Sequence, residues 1–315
     1  MPDFEAGGVT AKILDGWQGY PVDGLVATRF IGGVHSLVIT GQAPALAEHY
    51  PSAGGRFNPT TFNLALFDAL EANIAFMRKH IQSPPQTNEV RRCGALLGGF
   101  LKVAETTGLP LRCFEVGASA GLNLMWDKFH YQTDAGSWGN PNSPISIETE
   151  WRGNLPTIDI PATVVERAGC DIEPVDLGNP EARTRMEAYV WTDHPERFER
   201  LRAAMAMALD NNIQVDRADA PDWTKEKLAH LEKGTVTVLY HSIAAQYFDD
   251  ETASRFRAII EEAGSRATAD APLAWLQMEH VNYRVFPHLL LTQWPGGDTQ
   301  DLGQTHPHGQ YIDWA

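Results

Sequence analysis

Glu115-Val116-Gly117-Ala118-Ser119-Ala120-Gly121 follows the apolar run that begins at Leu111 and precedes Leu122-Asn123-Leu124. A short buried strand that feeds a glycine turn and then an apolar helix start forms a strand–turn–helix unit. Turns of this kind bind ligands. Backbone N–H groups at a helix start point outward, the helix dipole favours an anion there, and glycine lets a ligand approach the main chain closely.

Outward from this turn the apolar pattern alternates. Downstream, Ala162 to Val165 reads as a strand, and Pro195 to Leu209 as a helix with Phe198, Leu201, Met205 and Leu209 on one face. Ile213 to Val215 reads as a strand ending at Arg217-Ala218-Asp219-Ala220. Thr235 to Tyr240 and Leu273 to Met278 are further buried strands, separated by an amphipathic helix from Asp250 to Ala263. Strands alternating with helices give a parallel sheet with helices on both faces. His288 to Trp294, the turn Pro295-Gly296-Gly297-Asp298 and Gln310 to Trp314 read as an antiparallel pair. Trp126 to Trp151 is a polar, aromatic insertion with the character of a β-hairpin or ordered loop. Upstream the spacing is helical: Phe62, Leu66, Leu70, Ile74 and Met77 form one stripe, and a second helix runs from about Glu89 to Thr106. The expected organisation is a helical N-terminal cap over 1–105 and an α/β domain over 106–315, with the insertion at 126–151.

Three ligand chemistries fit the glycine turn. Dinucleotide binding wants G-x-G-x-x-G, but Ser119 stands at the middle glycine and Leu122 at the third. A nucleophile elbow wants G-x-S-x-G, which Gly117 to Gly121 matches. A triad through Ser119 would be completed by Asp249 or Asp270 and His280, yet no His-Gly-Gly oxyanion segment lies upstream. The third chemistry is S-adenosylmethionine binding. Methyltransferases of the Rossmann-like class carry an acidic residue two positions before the first glycine, where Glu115 stands. Their cofactor has no pyrophosphate, so a serine in place of the middle glycine does less harm, and the methionyl carboxylate can rest at the helix start. A tight turn that holds no ligand fits as well.

Later segments favour the third chemistry. Gly169-Cys170-Asp171-Ile172-Glu173-Pro174 resembles the end of a methyltransferase second strand, where a carboxylate accepts from both ribose hydroxyls. Asp171 takes that role, with Glu166 in reserve. Arg217-Ala218-Asp219-Ala220 resembles the third-strand end, where Asp219 and the Ala220 N–H would address the adenine edge. His241, after the fourth strand, would line the cofactor site or act as a general base. The whole chain resembles an uncharacterised bacterial family with a class I S-adenosylmethionine-dependent methyltransferase-like (Rossmann-like) fold. The segments that carry the resemblance are Gln86 to Val90, Glu115 to Leu124, Gly139 to Pro144, Trp151-Arg152-Gly153 and His306-Pro307-His308-Gly309. It implies a helical cap, a sheet with an antiparallel last strand and an S-adenosylmethionine site built from Glu115, Gly117, Ser119, Gly121, Asp171, Asp219, Ala220 and His241. Asn88, Glu89 and Arg92 from the cap would meet the substrate, as would Gln246 and Tyr247. Asn88 and Arg92, four apart, would share a helix face, and Arg92 could clamp a carboxylate.

Other features narrow the function. No Asn-Pro-Pro-Tyr motif follows the fourth strand, which disfavours an amino group of a base or amide as methyl acceptor. His306 and His308 do not complete a metal site, which needs three or four ligands. Lys and Arg total 25 against 40 Asp and Glu, a net charge of −15 that argues against a nucleic-acid partner. Three dispersed cysteines exclude a disulfide framework and a four-cysteine zinc site. No apolar run reaches ~18 residues, so no membrane span is expected. Met1 to Gly8 is unlike a signal peptide, and a cytoplasmic protein is the expectation. A methyltransferase acting on a small molecule is the leading reading, with its acceptor and oligomeric state open. The alternatives are a serine hydrolase using Ser119 and a cofactor-binding module without turnover.

Overall fold

A computed structural model describes residues 2–18, 24–280 and 286–315. The helices are α1 (Pro2–Glu5), α2 (Val9–Leu14), α3 (Val26–Ile39), α4 (Pro44–Ala47), α5 (Phe62–Ala72), α6 (Ile74–Ile81), α7 (Cys93–Thr107), α8 (Pro180–Ala188), α9 (Pro195–Asp210), α10 (Ala220–Lys227) and α11 (Asp250–Ser265). The strands are β1 (Leu111–Val116), β2 (His130–Thr133), β3 (Gly136–Gly139), β4 (Ser146–Glu148), β5 (Glu150–Gly153), β6 (Val164–Asp171), β7 (Asp216–Arg217), β8 (Val236–Ser242), β9 (Leu273–His280), β10 (Pro287–Trp294), β11 (Asp298–Thr305) and β12 (Tyr311–Trp314). The chain divides into two compact units, Met1–Thr87 with Asp176–Arg202, and Asn88–Val175 with Ala203–Ala315. The sequence boundary at 105 differs from this division: α7 belongs to the second unit, and 176–202 returns to the first.

The first unit is helical. Its core gathers Val34, Leu37 and Val38 of α3, Leu46 of α4, Leu70 of α5, and Met77 and Ile81 of α6. The stripe through Phe62, Leu66, Leu70, Ile74 and Met77 continues across a break at Asn73, which separates α5 from α6 and donates its side-chain amide to the Ala69 carbonyl. Three imidazoles are buried here, those of His35, His49 and His80. Burial, with Arg185 nearby, pushes His80 down to about 4.

The second unit is mixed α/β around a nine-stranded, mostly parallel sheet of order β5-β12-β11-β10-β9-β8-β1-β6-β7. β1 lies between β6 and β8, parallel to both, with Phe114 opposite Ala168 and Leu239. Strands that are covered on both faces read as continuous apolar runs, which is why β1, β8 and β9 were legible. On one face Phe114, Leu239 and Trp275 pack with Trp223 of α10 and with Phe256 and Ile260 of α11. On the other face lies α7. Its Phe100 stacks on Trp126 at a centroid distance of 4.2 Å and meets Tyr240 edge-on at 5.0 Å. Close approach of α7 rests on glycine: a Cβ on Gly98 would lie 2.2 Å from Trp314 Cη2, and one on Gly99 2.4 Å from Leu276 Cδ1.

The structure corrects several expectations. The segment after the glycine turn is not an α-helix. Leu122–Lys128 forms 3₁₀ turns with a kink at Met125. β6 runs on through Glu166 and Arg167, whose charges are met by Arg112 at 2.6 Å and by Asp127 at 2.6 Å. β7 is two residues long and starts just after Ile213 to Val215. The strand that pairs with β10 is β11, a polar sequence with no apolar alternation, while β12 pairs with β11 and, in parallel, with β5. A single antiparallel last strand is thus replaced by a four-strand extension beyond β9. The insertion supplies the β2–β3 hairpin and β4, which form a separate three-stranded sheet.

Two outcomes are expected. Gly98→Ala gains about 1 kcal/mol of helix propensity but overpacks against Trp314 at a cost of about 1–3 kcal/mol, so denaturant midpoints should show a net loss of up to about 2 kcal/mol. For His80, the folded value lies below the usual 6.5, so the unfolded chain takes up a proton first as pH falls. Its contribution is complete above pH 6.5 and is lost toward pH 4, at up to about 1.4 kcal/mol per pH unit. His80→Gln should flatten the acid limb of stability against pH.

Candidate functional site

In the order β7-β6-β1-β8-β9 the chain moves outward from β1 in one direction and then returns to its other side. The reversal falls between β1 and β8, and in open α/β sheets the crevice beyond the carboxyl ends of such strands is where ligands bind. The glycine turn leaves β1 at that crevice.

The turn has three left-handed residues, Gly117 (φ 70), Ser119 (φ 54) and Gly121 (φ 72). Glycine adopts this conformation freely, whereas at Ser119 it costs about 1–2 kcal/mol. The neighbouring strand holds the turn. Ala118 N donates to the Cys170 carbonyl at 2.9 Å and Ser119 N to Asp171 Oδ2 at 2.9 Å, while Val175 N donates to the Ser119 carbonyl at 3.1 Å. Asp171 Oδ1 accepts from Glu173 N at 2.9 Å. Each Asp171 oxygen thus carries one backbone bond and keeps a second lone pair. Asn88 Oδ1 accepts from Leu122 N at 2.9 Å. That amide, expected to face an anion at a helix start, is already engaged, and the 3₁₀ segment behind it has no extended helix dipole to offer. Ser119 Oγ is buried and has no hydrogen-bond partner.

Beneath the turn Glu115 is 1 % exposed. Burial raises its carboxyl from the usual 4.5 to about 8, against hydrogen bonds from Tyr240 and Asn123 and the nearby Arg92 charge. Tyr240 Oη lies 3.3 Å from Glu115 Oε2 and 3.2 Å from the Asn123 carbonyl. Arg92 donates to the Pro307 carbonyl at 2.9 Å and the Ser242 carbonyl at 3.1 Å, and it feels the charges of Glu89, Glu279 and Glu115. Arg92 thus stands among the carboxyl groups of Glu89, Glu115 and Glu279, with the His308 ring 3.6 Å from Glu89 Oε2. Asn88, Glu89 and Arg92 do come together with the turn, but through a 3₁₀ turn (Val90–Arg92) rather than one helix face. Glu89 caps this turn by accepting from Arg91 N.

The family description that matches residues 1–314 reads "uncharacterized protein conserved in bacteria (DUF2332)". The chain belongs to that family. No curated protein and no solved structure matches it. Among the described residues no helix is long and apolar enough to cross a membrane, and no group of three His, Cys, Asp or Glu side chains is placed to hold a metal.

Several candidates take roles other than those read from sequence. His241 Nδ1 lies 2.6 Å from Glu279 Oε1, and Nε2 accepts from Trp275 Nε1 at 3.0 Å. The ring is 1 % exposed, and its one lone pair is spent on the indole N–H. His241 is therefore no free general base; with Glu279, which also accepts from Ala244 N and Ala245 N, it fixes the loop after β8. Asp219 is exposed, caps α10 at Asp222 N and pairs with Arg255 at 3.6 Å; Ala220 is the first residue of α10. Gln246 and Tyr247 sit on the 3₁₀ turn Ala245–Tyr247, with Tyr247 74 % exposed. Asp249 caps α11, accepting from Thr252 N at 2.7 Å, and no base reaches Ser119 Oγ among the described residues, so no triad assembles at the elbow. Tyr240, Asn123 and Glu279 escaped the sequence reading. A Glu at the carboxyl end of a strand was the one signal that pointed to Glu279.

The raised Glu115 value has a measurable sign. Between pH 4.5 and about 8 the folded protein keeps a proton that the unfolded chain has lost, so stability falls as pH rises through that window. Glu115→Gln should remove this slope, its denaturant midpoint gaining on the wild type from about pH 5 to about pH 8.5.

Proposed function

We propose that the protein binds S-adenosylmethionine in the β1–β8 crevice and acts as a methyltransferase on a small molecule. The observation that carries this reading is the Asp171 carboxylate. It stands at the carboxyl end of the strand beside β1, bonded to the Ser119 amide of the glycine turn at 2.9 Å, with one lone pair left on each oxygen. A nucleoside ribose offers two hydroxyl donors to such a group. The parallel order β7-β6-β1-β8-β9 supports the same placement. The four-strand extension beyond β9 is this chain's own departure.

The charge balance also suits the ligand. A crevice with more carboxylates than cations attracts a sulfonium and an ammonium, while Arg92, with two of its five donors spent on carbonyls, remains a cation for a carboxylate. When bound, the cofactor supplies an activated methyl group. The protein's part is to align an O, N or S nucleophile with it and to exclude water. Because His241 has no free lone pair, an acceptor that is already nucleophilic at neutral pH fits best. The same observation favours, as a second reading, a module that binds the cofactor without turnover.

Calorimetry with S-adenosylmethionine and its demethylated product tests the proposal. Binding is expected, weakened at least about tenfold in Asp171→Ala and accompanied by proton release near pH 7 as a cation returns Glu115 to its ionised form; Glu115→Gln should abolish that release. Absence of heat at millimolar ligand with folded protein would refute it. Methylated product across an acceptor panel separates the enzyme from the module.

A further inference from the structure

A second serine, in the helical unit, has the geometry that Ser119 lacks. Ser52 lies on a 3₁₀ turn (Pro51–Ala53), and its Oγ is 2.8 Å from Nε2 of His35 on α3. The other ring nitrogen, Nδ1, is 3.0 Å from the carbonyl of Ala188 at the end of α8. A carbonyl can only accept, so Nδ1 carries the proton and Nε2 presents its lone pair to the serine hydroxyl. The ring is held in this orientation by Tyr50, stacked at 5.7 Å, and by Phe198, edge-on at 5.3 Å. His35 is 1 % exposed, whereas Ser52 is half-buried and is followed by exposed Ala53 and Gly54. A Cβ on Gly54, two residues further on, would meet nothing within 4 Å. A buried imidazole that merely satisfied its hydrogen bonds could use any polar partner in the core. This one has its lone pair on the hydroxyl of a half-buried serine.

We propose that Ser52 and His35 form a nucleophilic pair, oriented by the Ala188 carbonyl, that takes up the acyl group of a small activated ester. Ser52 Oγ bonds to the ester carbonyl carbon as its proton passes to His35 Nε2. The carbonyl–alkoxide bond then breaks, and the leaving alcohol takes the proton from His35. Water releases the acid by the same steps in reverse order of partners, returning the proton to Ser52. The amides of Ala53, Gly54 and Gly55 are spent on the carbonyls of Tyr50 and Pro51. They do not form a waiting oxyanion pair, so the expected chemistry is slow uptake of one acyl or phosphonyl equivalent rather than rapid turnover. Burial lowers the His35 value below the usual 6.5, which keeps the ring neutral, the form a base requires, at physiological pH.

The experiment is labelling of the full chain with a fluorophosphonate probe, followed by peptide mapping. One equivalent on the Ser52 peptide is expected, at a rate that rises with pH along a single titration whose midpoint lies below 6.5. Ser52→Ala should abolish it. His35→Gln, which keeps hydrogen-bonding capacity without a base, should slow it at least about 100-fold. Labelling no faster than that of the denatured chain, label on Ser119, or a rate unaffected by His35→Gln would each overturn the proposal. If His35→Gln does not fold, the wild-type pH profile decides: a rate that lacks the His35 titration overturns it.

Discussion

One helix that approaches a sheet without side chains in the way organises the second unit. On α7, Gly94, Gly98 and Gly99 let its backbone come within contact distance of Thr149, Trp314 and Leu276, residues that lie far apart in the chain. Any larger residue would hold the helix off and lose the dispersion contacts that close packing supplies. The placement matters beyond packing, because the residues just before α7 are Asn88 to Arg92. Seating the helix carries the Asn88 amide to the glycine turn and the Arg92 guanidinium to the carbonyl of Ser242 at the end of β8. The crevice is thus assembled by the same contacts that build the core.

What the sequence made legible was whatever is buried on both faces or bent sharply by glycine. β1, β8, β9 and α11 announce themselves as apolar runs or periodic stripes, and the turn at Gly117 as glycine spacing. What escaped has a different physical origin. β11 is exposed along half its length and owes its existence to pairing with β10 and β12, not to its own composition. The charged half of β6 is strand because Arg112 and Asp127 are there to meet its side chains, a fact that resides in other parts of the chain. Leu122–Lys128 has helical composition, yet Asn88 and Tyr240 claim polar groups in and around it, and it winds as 3₁₀ turns. For the site, the acids at strand ends were readable. The fate of a ring nitrogen was not: nothing in Tyr240-His241-Ser242 tells that an indole N–H from β9 fills the lone pair of His241.

The two serines make the same point about motifs. Ser119 sits in a pentapeptide that matches a nucleophile elbow and occupies a left-handed conformation, yet its hydroxyl faces no base. Ser52 belongs to no recognised pattern, and its partner is seventeen positions upstream in the middle of a helix. A motif records spacing along the chain, whereas proton transfer depends on a lone pair within hydrogen-bond reach and on what holds that pair in place. Here the two criteria select different residues.

The first unit is discontinuous: α3 packs against α6 and also against α8, which the chain reaches only after β1 to β6 have been made. On a ribosome this has a temporal cost. At a synthesis rate of about 5–20 residues per second, the roughly 100 residues that separate Thr87 from the end of α8 take about 5–20 s to emerge. For that interval the nascent amino-terminal helices present the apolar surface that α8 will later cover, and holding them apart from other chains falls to chaperones rather than to the fold.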